Sequence, residues 1–213
     1  MFEKIKVYLQ LLFLFLILCI ITYSCFAGDK KAKWQGMSAP DEPIQTKLDA
    51  AEPQIKYKNA KLIPLANYDV TGVVISTKRY FFDAGSSVSP IDIVLAWDKM
   101  SDADVINKIR FKHRRRCILY YPSDGKQWPI SFEDIQKNIS NNHCIPADSK
   151  IKKKLFSVKK YDVVNIKGKL VSVRRDGFEN WTSSLSRTDG MGTGELYGCE
   201  IIYITDVDIL KSL

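Results

Sequence analysis

The feature that most constrains this chain is an uncharged run of mainly apolar residues near its N-terminus. The run extends from Val7 to Ala27 and reads VYLQLLFLFLILCIITYSCFA. About twenty apolar residues in a helix are enough to cross roughly 30 Å of hydrocarbon. Lys4 and Lys6 precede the run, and it ends in Cys25-Phe26-Ala27, a small-x-small sequence that a signal peptidase could cut. The run therefore predicts an apolar N-terminal helix that carries the rest of the chain to a membrane.

The charges beside the run bear on its orientation and its fate. Two lysines precede it and three follow it closely, at positions 30, 31 and 33. By the positive-inside rule this near balance is slightly unfavourable to export, whereas the signal-like layout favours export. The sequence leaves open whether residues 1–27 remain as a membrane anchor, are cleaved as a signal peptide or are lipidated at Cys25.

The rest of the chain is long enough for one domain and a linker. Residues 28–61 are rich in Lys, Asp, Glu, Gln, Ala and Pro, and Pro40, Pro43 and Pro53 interrupt any helical period. This composition predicts a flexible linker. Residues 62–213 predict a single β-rich globular domain, since a domain of about 150 residues buries roughly 68–70% of its unfolded surface and needs no disulfide.

Alternating apolar residues and β-branched residues predict the strands of this domain. The predicted strands are Tyr68–Phe82, Cys117–Tyr121, Val163–Arg175, Trp181–Arg187 and Gly198–Thr205. Gly168 lies in the middle of the third of these, where a glycine indicates a bend or a close backbone approach. Valines on both faces of the first predicted strand, Tyr68–Phe82, indicate that this strand is buried on both sides.

Short helices are predicted between the strands. Ser101 is a candidate N-cap for a helix over Asp102–Lys108, and Ser131 for a helix that begins at Phe132. A further helical turn is expected around 151–156, and a loop over Asn142–Asp148. We therefore predict an α+β fold that is mainly β, with a small curved sheet or an OB-like partly open barrel and two or three short helices.

Cysteine and histidine usage gives no support for a metal site. Of five cysteines, Cys19 and Cys25 lie in the apolar run, which leaves Cys117, Cys144 and Cys199. Three thiols allow at most one internal bridge, for which Cys144 and Cys199 are the predicted pair in an oxidising compartment. The chain has no Cys-x-x-Cys motif and only two histidines, so neither a metal nor a cofactor is expected.

Several segments together resemble a family of uncharacterised bacterial proteins with an N-terminal membrane or signal segment and a β-rich extracytoplasmic domain. The segments are SPIDIVLAWDKMSD (89–102), NNHCIPAD (141–148), YDVVNIKGKLVSV (161–173), WTSSLSRTDG (181–190) and GCEIIYI (198–204). The resemblance implies a bacterial source and one continuous domain, but no activity. We accordingly expect a protein of the bacterial inner membrane with its domain in the periplasm, or one secreted to the periplasm.

Three consecutive arginines form the main candidate binding site. Arg114, Arg115 and Arg116 carry guanidinium groups that grip anionic groups bidentately, and the chain has a net charge of +8. Phe111–Tyr121 contains no acid that could pair with them, so at least two should face solvent. An edge strand protected by charge is the alternative interpretation. We expect a membrane-tethered or exported binding or structural domain whose partner is an envelope protein or an anionic polymer, with nucleic acid the less favoured ligand.

The alternative function is that of a hydrolase. It would use His143 with Ser183 or Ser184 and Asp189, because acyl transfer needs a hydroxyl, a base and an orienting acid. No Gly-x-Ser-x-Gly elbow supports it. His143, Arg187 and Asp189 are retained as candidate binding residues in either case, and their convergence in one pocket would favour an enzyme.

Overall fold

The computed structural model describes residues 5–6, 8–17, 31–177, 180–186, 190–191, 195–196 and 199–213. The chain divides into two compact units, Met1–Lys31 and Ala32–Leu213. In the first unit, residues 8–17 are helical. Within the described ranges, no helix combines the length and the apolar character needed to cross a membrane.

The second unit is mainly β, with a curved sheet and a few short helices, as the sequence predicted. The larger sheet comprises β1 (Ile44–Lys47), β2 (Ile55–Tyr57), β3 (Ala60–Arg79), β4 (Ile91–Ala96), β7 (Ile139–Pro146), β8 (Asp162–Arg174), β9 (Trp181–Thr182) and β12 (Glu200–Ser212). The smaller sheet comprises β5 (Ile109–Arg114), β6 (Cys117–Pro122), β10 (Gly190–Met191) and β11 (Glu195–Leu196). The helical segments are a 3-10 turn (Asp98–Ser101), α1 (Ala103–Ile106), α2 (Phe132–Lys137) and α3 (Ser149–Ser157).

Five strands of the larger sheet pair in a closed circuit. β3 pairs with β4 and β4 with β7, both antiparallel, and β7 pairs with β12 in parallel. β12 then pairs with β8, and β8 pairs with β3, both antiparallel, which closes the circuit. Gly168 lies where β8 passes between its two neighbours, opposite Tyr68 and Ile204. A Cβ at this position would lie 2.1 Å from the carbonyl oxygen of Tyr203, which confirms the predicted close approach.

Apolar side chains from the strands of this circuit form two buried clusters. Ile93, Ile166 and Ile202 are among the fully buried residues of the larger apolar cluster. A smaller cluster includes Leu62 and Ile201. Complete burial of such a side chain contributes about 1.5–3 kcal/mol, so these alternating positions are the main source of stability.

The predicted flexible linker largely belongs to the domain. The compact unit begins at Ala32 rather than at residue 62, and β1, β2 and the start of β3 lie in the expected linker. Ala32 and Ala39 are buried, and the Trp34 Nε1 group donates to the Ser101 carbonyl oxygen at 2.9 Å. Strands of three or four residues between prolines have too short a pattern to stand out in the sequence.

Two helix caps were predicted, and one of them is confirmed. The Ser131 hydroxyl accepts a hydrogen bond from the Asp134 amide at 3.0 Å and caps α2. In α1 the cap is Asp102, which accepts from the Asp104 amide at 2.8 Å. Ser101 instead donates its hydroxyl to the Asp98 carbonyl oxygen at 2.7 Å, so its prediction as the cap was wrong.

The predicted loop at Asn142–Asp148 is mostly strand β7, which ends at Pro146. Asn142 is completely buried and donates from Nδ2 to the Ile93 carbonyl oxygen at 3.0 Å. The polar residues that indicated a loop are therefore buried side chains with partners on a neighbouring strand, which the sequence alone does not reveal.

Candidate functional site

The arginine run forms the turn of the β5–β6 hairpin. Arg114 pairs with Cys117 in register, so Arg115 and Arg116 are the two turn residues. Arg115 has a φ of 55°, a left-handed conformation that costs a non-glycine residue about 1–2 kcal/mol. The Tyr80 hydroxyl donates to the Arg115 carbonyl oxygen at 2.9 Å and fixes the turn against the loop that follows β3.

The Arg116 guanidinium group is held by two carboxylates from the β3–β4 region. Its Nη2 lies 2.7 Å from Asp83 Oδ1, and its Nη1 lies 3.3 Å from Asp92 Oδ1. Nη2 also donates to the Ser89 carbonyl oxygen at 3.0 Å. The Arg116 side chain is only 19% exposed and that of Asp92 is fully buried. Arg116 is therefore an internal partner of the β4 carboxylate rather than a free surface cation.

Two aromatic rings face the same guanidinium group. The Arg116 Cζ atom lies 4.0 Å from the centroid of the Tyr80 ring and 5.4 Å from that of the Trp181 ring. Cations over aromatic faces are attracted by the ring quadrupole, more strongly when they are partly desolvated. Burial, reinforced by the charge of Asp92, raises the pKa of Tyr80, so its hydroxyl stays a hydrogen-bond donor.

His143 lies behind Arg116, on β7. Its Nδ1 is 2.8 Å from Asp92 Oδ1, and its ring centroid is 4.6 Å from that of Trp181. Asp92 and His143 are paired residues of neighbouring strands, which places their side chains on the same face of the sheet. The Oδ1 atom of Asp92 thus accepts a hydrogen bond from Arg116 and also lies within hydrogen-bond distance of His143 Nδ1.

These residues form one wall of a cleft of about 560 Å³. It lies between the loop after β3, the β5–β6 turn and the start of β9. Its lining residues are Lys78, Tyr80, Asp83, Ala84, Gly85, Arg115, Arg116, Asn180 and Trp181. A Cβ on Gly85 would lie 3.0 Å from the Arg116 side chain, so a residue without a side chain is needed here for Arg116 to reach Asp83.

The sequence-predicted residues are only partly brought together. Arg114 and Arg115 are exposed, which confirms that at least two guanidinium groups face solvent. Arg115 and Arg116 line the cleft, and His143 is buried behind it. Arg187 and Asp189 lie outside the described residues.

The two candidate serines have structural hydrogen bonds. The Ser183 hydroxyl accepts from the Ile201 amide at 3.0 Å and donates to the Ser184 carbonyl oxygen at 3.0 Å. Ser184 donates its hydroxyl to the Ser186 carbonyl oxygen at 3.4 Å. The acid that meets His143 within the described residues is Asp92.

Asp92, Tyr80 and Trp181 are the site residues that sequence reasoning missed. Asp92 had a signal, because it is the one acid within the apolar run of β4, and an acid inside a buried strand requires a partner. Tyr80 and Trp181 had no such signal, since aromatic residues at strand ends are common. Across the described ranges, no group of three or more His, Cys, Asp or Glu side chains is placed to hold a metal ion.

The thiols beside the site differ from the predicted pair. Cys117, Cys144 and Cys199 are all thiols and none is in a disulfide, so the predicted bridge between Cys144 and Cys199 is wrong. Cys144 is buried and donates to the Asn142 carbonyl oxygen at 3.3 Å. A hydrogen bond with Cys117, together with burial, raises the pKa of Cys199 well above its ordinary value. The thiol neighbour of Cys199 is therefore Cys117, next to Arg116 in the chain.

Comparison of the chain with protein-family models, with curated proteins and with solved structures gives no match.

Proposed function

We propose that this protein is an exported or membrane-tethered binding domain of OB-like architecture that holds an anionic polymer in the cleft beside Arg116. In an OB fold, five strands pair in the order 1-2-3-5-4-1, and ligands bind over strands 2 and 3 between the 1–2 and 4–5 loops. The circuit of β3, β4, β7, β8 and β12 follows this order. This support is an analogy between folds, and such an analogy does not by itself identify a ligand.

The observation that carries the proposal is the position and lining of the cleft. It is lined by the end of β3, the β3–β4 loop, the β5–β6 turn and the segment around β9 that joins β8 to β12, and an OB-type site lies between the corresponding loops. Lys78 and Arg115 supply cationic groups at its rim, and Tyr80 and Trp181 supply flat apolar surface. Rings combined with cations suit a chain of sugar rings that carries carboxylate or sulfate groups.

Export is the second part of the proposal. The apolar run over residues 7–27 would bring the domain to the bacterial inner membrane, with the domain on the periplasmic side or released there. Anionic polysaccharides are ligands that a basic domain would meet in that compartment. An envelope protein is the other partner class that the sequence suggested.

The cleft is tested with the full-length chain, purified in a mild non-ionic detergent, and a heparin oligosaccharide as the probe. Replacing Lys78 and Arg115 together with Gln should weaken binding roughly tenfold, because each exposed charge contact contributes about 0.5–1 kcal/mol. The matched control replaces Lys108 and Lys112, two exposed lysines that do not line the cleft. Equal affinities of the two double variants would reject the cleft as the binding site.

A hydrolase remains the second candidate, on the single observation that Asp92 Oδ1 lies 2.8 Å from His143 Nδ1. Such a pair orients and polarises the base of a catalytic triad. The Ser183 hydroxyl, however, already has a donor and an acceptor in the backbone. Hydrolysis of an activated ester that is lost in His143→Gln but retained in the Lys78/Arg115 variant would favour the enzyme over the binder.

A further inference from the structure

A row of cations crosses three adjacent strands at one end of the larger sheet. Lys56 of β2 pairs with Lys61 of β3, and Lys61 pairs with Arg174 of β8. Side chains directly opposite each other on neighbouring strands point to the same face, and like charges in such positions repel. All three side chains are exposed. We call Lys56, Lys61 and Arg174 the cationic row.

Within the part of the chain that the structure describes, no carboxylate neutralises this row. Within the described residues, no ion pair joins the cationic row to an Asp or Glu side chain. Elsewhere on β8 the cations are paired, since Lys167 lies 3.1 Å from Asp69 and Lys169 lies 2.7 Å from Glu52. Arg174, at the C-terminal end of β8, has no such carboxylate partner among the described residues.

The cationic row lines a groove of about 650 Å³. The lining residues are Gln54, Lys56, Lys58, Asn59, Ala60, Lys61, Arg174, Arg175, Asp176 and Asn180. Five of them are cationic and one is acidic, so the groove has an excess of positive charge. Burial, followed by the charge of Lys152, lowers the pKa of Lys58.

The groove adjoins the cleft beside Arg116. Asn180 lines both. Arg175 donates from Nη2 to the carbonyl oxygen of Ala84, a cleft residue, at 2.8 Å, and from Nη1 to Ser87 Oγ at 3.0 Å. Lys58 donates to the Ser87 carbonyl oxygen. Two cations of the groove thus hold the loop that forms the wall of the cleft, and one extended ligand could lie along both.

We propose that this groove is a second subsite for an anionic polysaccharide, whose carboxylate or sulfate groups lie against the cationic row while the same chain continues into the cleft. The inference rests on the proposed function and extends it to a ligand that spans both sites. An anion between Lys56, Lys61 and Arg174 would remove the repulsion that their register creates.

The lining of the groove favours a polysaccharide over the other polyanions. Gln54, Asn59 and Asn180 offer amide donors and acceptors for sugar hydroxyl groups. Among the described lining residues of the groove there is no aromatic side chain, so the groove, unlike the cleft with Tyr80 and Trp181, lacks the stacking rings of a site for single-stranded nucleic acid. The groove is concave, which suits a chain rather than the flat surface of a bilayer.

The test compares two triple variants of the full-length chain with the wild type. One replaces the cationic row, as Lys56→Gln, Lys61→Gln and Arg174→Gln. The control replaces Lys108, Lys112 and Lys126 with Gln, three exposed lysines that line neither the cleft nor the groove. Both remove the same charge from the solvent-exposed surface, so a general effect of net charge appears equally in both.

Heparin oligosaccharide binding is measured over a range of salt concentrations. The cationic-row variant should bind at least tenfold more weakly, and the slope of log affinity against log salt should fall by roughly two units, because up to three ionic contacts are lost. The control should keep the wild-type slope. If the two triple variants had equal salt slopes while the Lys78/Arg115 variant still bound heparin more weakly, the groove would be rejected as a subsite. The proposed function of the cleft would not be affected by that result.

A small anion gives a readout that does not require a polymer. Sulfate should raise the Tm of the wild type and of the control more than that of the cationic-row variant, which at low salt should itself be more stable than the wild type. If sulfate raised the Tm of the wild type more than that of the cationic-row variant, but no form of the protein bound heparin, polysaccharide would be rejected as the ligand. The proposed function would be rejected with it. Tighter binding of an oligothymidylate than of heparin, or binding only to anionic vesicles, would likewise overturn the ligand class.

Discussion

At the scale of single residues, the candidate site depends on Asp92. Its side chain is fully buried, and one of its oxygens meets both Arg116 and His143. An ionised carboxylate without partners in a protein interior costs several kcal/mol. Arg116 therefore has a structural role, and Arg115 is the exposed residue of the run that lines the cleft.

This arrangement predicts a large difference between two adjacent substitutions. Arg116→Gln should lower the free energy of unfolding by about 3 kcal/mol, because it leaves Asp92 without its cation. Arg115→Gln should change it by less than about 0.5 kcal/mol, since that side chain is exposed. Urea denaturation of the two variants measures the difference.

A double-mutant cycle separates the pair from other effects of the substitution. Asp92→Asn combined with Arg116→Gln should cost less than the sum of the two single changes, because no buried charge is then left unpaired. Strict additivity, or equal stability of Arg115→Gln and Arg116→Gln, would show that Arg116 does not compensate Asp92.

Part of this site could be predicted from the sequence. The arginine run stood out by composition, and the exposure of two of its members followed from the lack of local acids. The carboxylates that hold Arg116, Asp83 and Asp92, are 33 and 24 residues away in the chain. Such distant partners become visible only when the strand register is known.

At the scale of elements, the segment between Ala32 and Tyr57 differs most from expectation. Its prolines and charges predicted a linker, yet β1 and β2 both add to β3. Trp34 packs edge-on against Tyr161, with ring centroids 5.4 Å apart, and Asn107 exchanges two hydrogen bonds of 2.9 Å with the backbone of Ala32. These contacts join residues that are far apart in the chain, 75 positions in the case of Ala32 and Asn107, so no local pattern records them.

This difference predicts where the chain can be shortened. A fragment of residues 32–213 should unfold cooperatively in urea, because it keeps the complete compact unit. A fragment of residues 62–213 should unfold at a clearly lower urea concentration or fail to fold, since it loses the Trp34 contacts and two paired strands. Loss of a half-buried Trp contact alone costs about 2 kcal/mol.

Trp34→Ala within residues 32–213 provides a control that keeps both short strands. It should be intermediate between the two fragments, whereas Met37→Ala, a change at a residue that is 50% exposed, should resemble the parent fragment. If residues 62–213 were as stable as residues 32–213, the segment would be a linker after all.

At the scale of the whole molecule, periodicity predicted the β-rich class and the positions of the long strands, but not their order. β8 was recognised because its thirteen residues alternate clearly and contain Gly168. β7 was missed because its polar residues are buried against partners on β4. Closure of the circuit depends on the parallel pairing of β7 with β12, which joins residues about 58 positions apart in the chain and leaves no local trace.

The charges beside the apolar run bear on the compartment in which this domain operates. The apolar run is preceded by Lys4 and Lys6 and followed by lysines at 30, 31 and 33, so the charge difference across it is small. Alkaline phosphatase fused after Leu213 should be active in a bacterial host, because the signal-like layout favours export, and deletion of residues 1–27 should abolish that activity. Replacement of the three downstream lysines with Gln should raise the exported fraction, since it strengthens the positive-inside difference. An inactive phosphatase fusion, together with an active β-galactosidase fusion at the same position, would place the domain in the cytoplasm and remove the reason for preferring an envelope polysaccharide as its ligand.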